Sequence, residues 1–185
     1  MEIRKAKQED SKAIATCLLL AMEAIICQFL KTTDVKIALK FLNHFTSQPN
    51  NQYSYQNCFV AVIENKIIGA LNIYDGAKLE ELRKPISDYI KLHYNKNFKP
   101  EDETQAGEFY IDSFGIAPQH QGKGLGKQLL NFVIKKYVVE QSQTVGLLVE
   151  EANSSAERLY KKSGFQKIGT KILVGKQMHH LQIKP

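Results

Sequence analysis

Cysteine is scarce in this sequence and never clustered. Cys17, Cys27 and Cys58 are scattered, odd in number and free of any CxxC pair. That pattern excludes a disulfide framework or zinc cluster and reads as small core residues of a reduced, cytoplasmic protein. Long apolar runs are missing too. The best stretch, Leu18 to Leu30, is broken by Glu23 and Gln28, so no membrane span is expected. The opening MEIRKAKQED does not read as a signal peptide. Acid is absent from the C-terminal part: from Arg158 onward there are seven Lys or Arg and no Asp or Glu, within a net charge of +6. These charges are spaced along a helix and strands rather than interleaved with aromatics. Nucleic-acid binding is therefore the weaker reading, because a basic surface also attracts the phosphates of a small ligand. No internal repeat or low-complexity linker is visible. The 185 residues suffice for one domain, residues 1–185, with a real core.

What is present centres on EFYIDSFGIAPQHQGKGLGK, Glu108 to Lys127. Its first half is apolar on both faces and suits a strand in the middle of a sheet, with Phe109, Ile111 and Ser113 facing one way and Tyr110, Phe114 and Ile116 the other. Asp112 is the exception, an acid in a buried strand. Pro118 ends the strand. Gln121-Gly122-Lys123-Gly124-Leu125-Gly126 follows, and a helical pattern starts at once. A strand, a glycine loop and a helix N-terminus in that order make an anion site, with Lys123 and Lys127 adding positive charge. Three phosphate-binding patterns compete. The dinucleotide G-x-G-x-x-G fails at Lys127. The P-loop fails at Gln121, where its first Gly belongs, and at Gln128, where Ser or Thr belongs. The third is the acyl-CoA loop of acetyltransferases, which the six residues match with Gln121 for the commoner Arg. A glycine turn without a ligand is the plain alternative.

A second stretch bears on that choice. Asn153-Ser-Ser-Ala156-Glu-Arg-Leu-Tyr160-Lys-Lys-Ser-Gly164-Phe165 lies about thirty residues downstream of the loop. Together the two motifs resemble the GNAT superfamily of N-acetyltransferases, specifically from about Tyr110 to Phe165 and weakly over the N-terminal half. The resemblance implies an α/β (α+β) fold, with a mixed, mostly antiparallel sheet of six to seven strands and helices on both faces.

The rest of the chain fits that outline. Glu2 to Ala6 alternates as a first strand. Asp10 and Ser11 are N-cap candidates for a long helix to about Leu30, and Thr32, Thr33 and Asp34 for a second. Ser47 to Gln56 reads as a polar loop. Cys58–Ile63 and Ile67–Tyr74 form a hairpin, with Gly69 marking a bulge or close contact. A helix is expected from Leu79 to about His93, with Pro85 starting or kinking a turn inside it. Residues 76–106 look like an insertion on the substrate side. They form either a lid that selects a cationic substrate, through Glu101, Asp102 and Glu103, or a solvated surface loop. After the helix that begins at Leu125, Val145–Val149 is a fifth strand. Ser154 and Glu157 form a capping box for a helix stopped by Gly164. Strands over Phe165–Ile168 and Lys171–Leu181 close the chain.

The chemistry implied is acetyl transfer from acetyl-CoA to a primary amine by direct attack in a ternary complex. The amine must be neutral, the carbonyl oxygen needs a donor, and the thiolate benefits from a proton. No covalent intermediate is required, in keeping with the lack of a persuasive Ser–His–Asp or Cys–His set. By the resemblance, backbone groups of Phe114, Gly115 and Ile116 take the pantetheine and thioester. The N–H groups of Gln121, Gly122, Lys123, Gly124, Leu125, Gly126 and Lys127 hold the pyrophosphate. Asn153 and Ala156 line the pantetheine. Tyr160 stands where the family places the acid for the departing thiolate; as a plain structural residue it would be a buried aromatic on a helix. Asp112 is the chosen base, or a substrate-binding carboxylate that moves no proton. Glu108 is the fallback, and His120 faces solvent or phosphate. No metal is implied. The acceptor is a small-molecule or peptide amine, with no nucleic acid or membrane partner, and a homodimer is left open. The alternatives are a GNAT-fold protein that binds acyl-CoA without this activity or with another acyl group, and a basic nucleic-acid-binding protein.

Overall fold

The computed structural model describes residues 1–185. One seven-stranded sheet runs through it, in the order β1-β2-β3-β4-β5-β7-β6. The strands are β1 (Glu2–Lys5), β2 (Cys58–Ile63), β3 (Lys66–Asp75), β4 (Phe109–Ile116), β5 (Val145–Glu150), β6 (Gln166–Leu173) and β7 (Lys176–Ile183). Only β4 and β5 pair in parallel; every other neighbour is antiparallel. The helices are α1 (Ser11–Phe29), α2 (Val35–Thr46), α3 (Leu79–His93), α4 (Leu125–Ile134) and α5 (Ser154–Lys162).

The apolar pattern divides between two cores. α1, α2 and α3 cover one face, where Ile14, Leu18, Phe41, Leu42 and Ile86 pack on Cys58, Val60 and Ala70. α4 covers the other, where Leu129, Leu130 and Val133 meet Phe59, Ala61, Leu71 and Ile111. β2 is apolar throughout because both of its faces are buried, so alternate residues serve opposite cores. The fold expectation is met in sheet composition, strand number and helix placement.

Several local expectations need correction. The β3–β4 register shifts so that Asn72 faces Ser113 and Ile73 faces Ile111, which leaves Asp112 as the extra residue of a bulge. A bulge reverses the alternation beyond it. Phe109, Ile111, Phe114 and Ile116 therefore belong to the α4 side. Ser113 turns to α1, where its hydroxyl donates to the Leu18 carbonyl at 3.4 Å. Gly115 is on that side as well: a Cβ there would stand 2.0 Å from the Cys17 carbonyl oxygen. The expected grouping of Ser113 with Phe109 and Ile111 fails for this reason. The bulge foreseen at Gly69 is present, with the β2–β3 register shifting beside it, and a Cβ at Gly69 would meet Ile116 Cδ1 at 2.3 Å.

Pro85 does not break α3, which runs unbroken through it. Its ring leaves the Glu81 carbonyl without an N–H donor, and the next carbonyl, Leu82, accepts the Gln52 backbone N–H at 2.9 Å. Asn153, not Ser154, caps α5, accepting the Ala156 N–H at 3.2 Å, while Glu157 pairs with Lys161 at 2.8 Å and with His179 at 3.1 Å. Asp10 sits at the N-cap of α1 without a capping bond, because its carboxylate is taken by Arg4 at 2.7 and 3.0 Å. The last hairpin turns at Val174–Gly175, later than expected, so β6 extends to Leu173. Gln8–Phe29 is long and apolar enough to cross a bilayer, contrary to the reading of its sequence, but it serves as a core helix here: Ile14, Leu18 and Ile26 are fully buried. The loop over residues 47–56 is not merely polar surface, since Asn51, Gln52, Tyr53 and Ser54 are buried.

Candidate active site

β4 and β5 pair only over Phe109–Ile111 and Val145–Leu147. Beyond the Asp112 bulge they separate, and the wedge between them opens into a cleft of about 820 Å³. On the β3 side of β4, Ala117 donates its N–H to the Ile68 carbonyl at 2.8 Å. Backbone groups alternate along a strand, so the Ile116 N–H points the other way, into the wedge. The Ile116 carbonyl on that side accepts the Gln121 side-chain amide at 2.8 Å. The Gln121 side chain thus clamps the loop to the strand and is not left free for a ligand.

The glycine loop closes one end of the cleft. Gly122 and Gly124 both have φ +74°, in the left-handed region that a side chain disfavours. Gly126 packs close to Phe114, where a Cβ would stand 3.1 Å from Cζ. The Gln121 N–H is used by the Pro118 carbonyl at 3.2 Å, and the Gln128 N–H by Gly124 at 3.2 Å. No protein acceptor takes the N–H groups between them, residues 122–127. These groups converge at the α4 N-terminus, a ready anion cradle. Lys127 lines the cleft there. Lys123 does not; its ammonium donates to the Gln119 carbonyl at 3.0 Å. His120 lines the loop end and is half-exposed.

α5 forms the opposite wall. Asn153, Ala156 and Tyr160 line the cleft, the last two one helical turn apart on the same face. Asn153 Oδ1 is spent on capping, which leaves its amide nitrogen free. Tyr160 packs edge-on to Phe165 at 5.9 Å, its hydroxyl makes no hydrogen bond within the protein, and burial pushes it up to about 12.

At the other end lies a polar cluster. Gln52 Nε2 donates to Asp112 Oδ1 at 2.8 Å and to Glu103 Oε1 at 2.6 Å. Glu103 also accepts the Tyr74 hydroxyl at 3.2 Å and pairs with Arg83. Arg83 reaches Asp102 at 2.8 Å and the Glu101 carbonyl at 3.1 Å. Asp112 is half-buried, yet its Oδ2 is shielded from water and unpartnered. Burial first, and then the charge of Glu103, raise Asp112 to about 7. Burial also raises Glu103, although Arg83 opposes it.

The structure thus brings Asp112, Phe114, Ile116, the loop, Asn153, Ala156 and Tyr160 around one cleft. Gly115 meets α1 instead. Glu108 does not line the cleft: its carboxylate is held by His180 at 2.9 Å, Gln182 at 2.7 Å and Thr104 at 2.7 Å, and although burial opposes them these bonds bring it below the ordinary glutamate range. Sequence reasoning missed Gln52, Arg83 and Tyr74. Gln52 lay within a run of polar residues, and no spacing rule links it to Asp112. Glu103 was noticed only as part of an acidic run and is in fact buried.

Comparison with known proteins agrees with this geometry. The family model described as "Acetyltransferase (GNAT) family" matches residues 34–165. The mycothiol acetyltransferase of Propionibacterium freudenreichii is 29% identical over 99 residues, 54% of this chain and 31% of that protein. The spermine/spermidine N(1)-acetyltransferase of Bacillus subtilis is 34% identical over 67 residues, 36% of this chain and 44% of that protein. The aligned parts therefore span less than half the length of either relative. Among solved structures, an N-acetyltransferase from Staphylococcus aureus Mu50 superposes with a TM-score of 0.85 at 21% identity, covering 99% of this chain and 100% of that one, a likeness of fold. With the family match extending over most of the chain, from the start of α2 to the end of α5, this chain belongs to the acetyltransferase (GNAT) family.

Proposed function

We propose that this chain transfers the acetyl group of acetyl-CoA to a primary amine by direct attack in a ternary complex. One observation carries the reading: a single cleft joins a cradle of unpaired N–H groups to a raised carboxylate with an unpartnered oxygen. The cradle suits a pyrophosphate. The wedge between β4 and β5 suits an extended pantetheine, which can pair with free strand edges. Phe114 and Ile116 present those edges, and the Ile116 N–H faces the thioester oxygen as negative charge develops there. Asn153 and Ala156 flank the arm. The acetyl group then lies between Asp112 and Tyr160.

The amine arrives as an ammonium and gives one proton to Asp112. Its lone pair attacks the acetyl carbonyl carbon. An N–C bond forms, the C–S bond breaks, and the thiolate takes the Tyr160 proton. Tyr160 is restored by the second amine proton or by solvent. In sum, an ammonium and acetyl-CoA give the amide, CoA thiol and one released proton. Asp112, raised to about 7, sits where a base for this task is effective near neutral pH. Residues 76–106 supply the acceptor-side wall through α3 and Glu103, which supports reading them as a substrate-side insertion in a domain of 1–185. The reading includes a cytoplasmic location, a small-molecule or peptide amine, and no nucleic acid, membrane or metal in the reaction.

The test is calorimetric titration with acetyl-CoA, CoA and NAD, followed by thiol release with an amine panel and mass analysis of the product. Binding of both CoA species but not NAD, with an N-acetylated product, is expected. CoA binding without transfer to any amine would leave an acyl-CoA-binding protein. Steeply salt-dependent DNA or RNA binding without CoA affinity would overturn the reading.

A further inference from the structure

We propose that the acceptor is a primary monoamine carried on an apolar body, and not a polyamine. The inference rests on the acetyl-transfer reading above and concerns the acceptor half of the same cleft. Three carboxylates line the cleft: Glu103, Asp112 and Glu150. Glu103 is spent on Arg83, Gln52 and Tyr74. Glu150 ends β5, on the α5 side of the cleft, and pairs with Lys176 at 2.9 Å. Asp112 Oδ2 is the buried carboxylate oxygen that the acceptor half leaves without a partner. A second ammonium on the same molecule would have no anionic partner in this half, and Arg83, itself a fixed cation, lines the wall near Glu103.

Much of the remaining wall is apolar. Met22, Ile25 and Phe29 come from α1, Ile86 from α3, Phe98 from the segment after it, and Met178 from β7. The Phe29 and Phe98 rings meet edge-on at 4.9 Å. α1 leaves helical geometry at Met22 (φ −128°, ψ 16°), at the point where it lines the cleft. A cation buried without a partner is strongly disfavoured, whereas an alkyl or aryl body gains from such walls. A ligand with one charged end and an apolar remainder fits both halves of this surface. The spermine/spermidine relative, matched over 36% of this chain, does not decide the matter, because specificity follows the pocket and not the fold.

The test measures kcat/KM of the full chain with saturating acetyl-CoA for 2-phenylethylamine, hexylamine, putrescine and spermidine, with products identified by mass. Both monoamines are expected to exceed both polyamines by tenfold or more. Spermidine or putrescine within tenfold of the monoamines, or better, overturns this inference alone. Acetylation of none of the four, while another amine of the wider panel is acetylated, overturns this inference alone; acetylation of no amine at all, while acetyl-CoA still binds, overturns the transfer reading with it. The Ile25→Asp variant places a second carboxylate on a half-exposed part of the wall. It should narrow the monoamine preference by tenfold or more, and an unchanged ratio contradicts the inference. Should that variant misfold, Phe98→Ala gives the complementary measurement. Monoamine kcat/KM should fall at least tenfold with spermidine little changed, and an equal fall for both contradicts the inference.

Discussion

Gln52 and Asp112 lie 60 residues apart in the chain, yet the Gln52 amide donates to the Asp112 carboxylate at 2.8 Å. The same nitrogen donates to Glu103 at 2.6 Å, so one amide stands between two acids that would otherwise repel. Gln52 is itself fixed through its backbone, with its N–H on Leu82 at 2.9 Å and its carbonyl on Asn72 at 3.1 Å. Its side chain can therefore be changed without releasing the loop. In Gln52→Leu the carboxylate of Asp112 loses a donor that favours its charged form. A hydrogen bond to a charged group is worth about 1.5–3 kcal/mol, so the acid limb of the pH–rate profile should move up by about one unit or more. An unmoved limb would show that Gln52 does not set the state of Asp112.

Tyr160→Phe removes the hydroxyl and keeps the ring packed on Phe165. kcat should fall about 100-fold or more, with the affinity for acetyl-CoA little changed. The loss should shrink for acetyl donors whose leaving thiol is more acidic. Stopped-flow thiol release with such donors checks this; an unchanged kcat would remove Tyr160 from the acid role.

Arg83→Met tests the cluster as structure. Both partners of the Arg83–Glu103 pair are largely buried, with side chains 11% and 8% exposed. Removing one partner of a buried pair costs about 3–5 kcal/mol. The sign with pH follows from Glu103. Without Arg83 its folded pKa rises further above the unfolded value, so the cost is full above that raised folded pKa and fades as the pH falls through it. Thermal melts at pH 8 and pH 5 should show the larger deficit at pH 8.

Gly124→Ala puts a side chain at φ +74° on the N-cap of α4. The left-handed conformation costs an L-residue about 1–2 kcal/mol, which for a chain of this size is a drop in Tm of about 2–8 °C. Nothing lies within 4 Å of the added methyl, so crowding adds nothing. KM for acetyl-CoA should rise more than KM for the amine, because the loop's N–H groups are displaced from the pyrophosphate. Equal changes in both KM values would contradict the loop assignment.

The donor side was legible in the sequence because it is local. A strand, three glycines and a helix N-terminus follow one another within about twenty residues, and the geometry of each depends on its immediate neighbours. α3 and the β2–β3 hairpin were legible through period and turn chemistry. The acceptor side was not, because it is assembled from distant segments. Gln52, Arg83, Glu103 and Asp112 meet only after the sheet has formed. The bulge at Asp112 was also hidden, since one extra residue on β4 is defined by its pairing with β3 and not by its own letters. Pro85 misled because its broken helix bond falls beside a carbonyl that serves another segment. Ser154 misled because a capping box and an Asn cap one residue earlier look alike until Glu157 is seen to face His179.

The most direct measurement is the pH dependence of kcat/KM for acetyl transfer to 2-phenylethylamine, wild type beside Asp112→Asn. The folded pKa of Asp112, about 7, lies above the ordinary aspartate value of 3.8. The base is therefore spent below neutral pH and becomes available as the pH rises through about 7. Wild type should show a rising limb with an apparent pKa near that value. Asp112→Asn should lose the limb and at least 100-fold in rate, while it binds acetyl-CoA as before and keeps its Tm at pH 8, where the buried charge is a cost. A variant that transfers acetyl at the wild-type rate, with the same limb, would contradict Asp112 as the base.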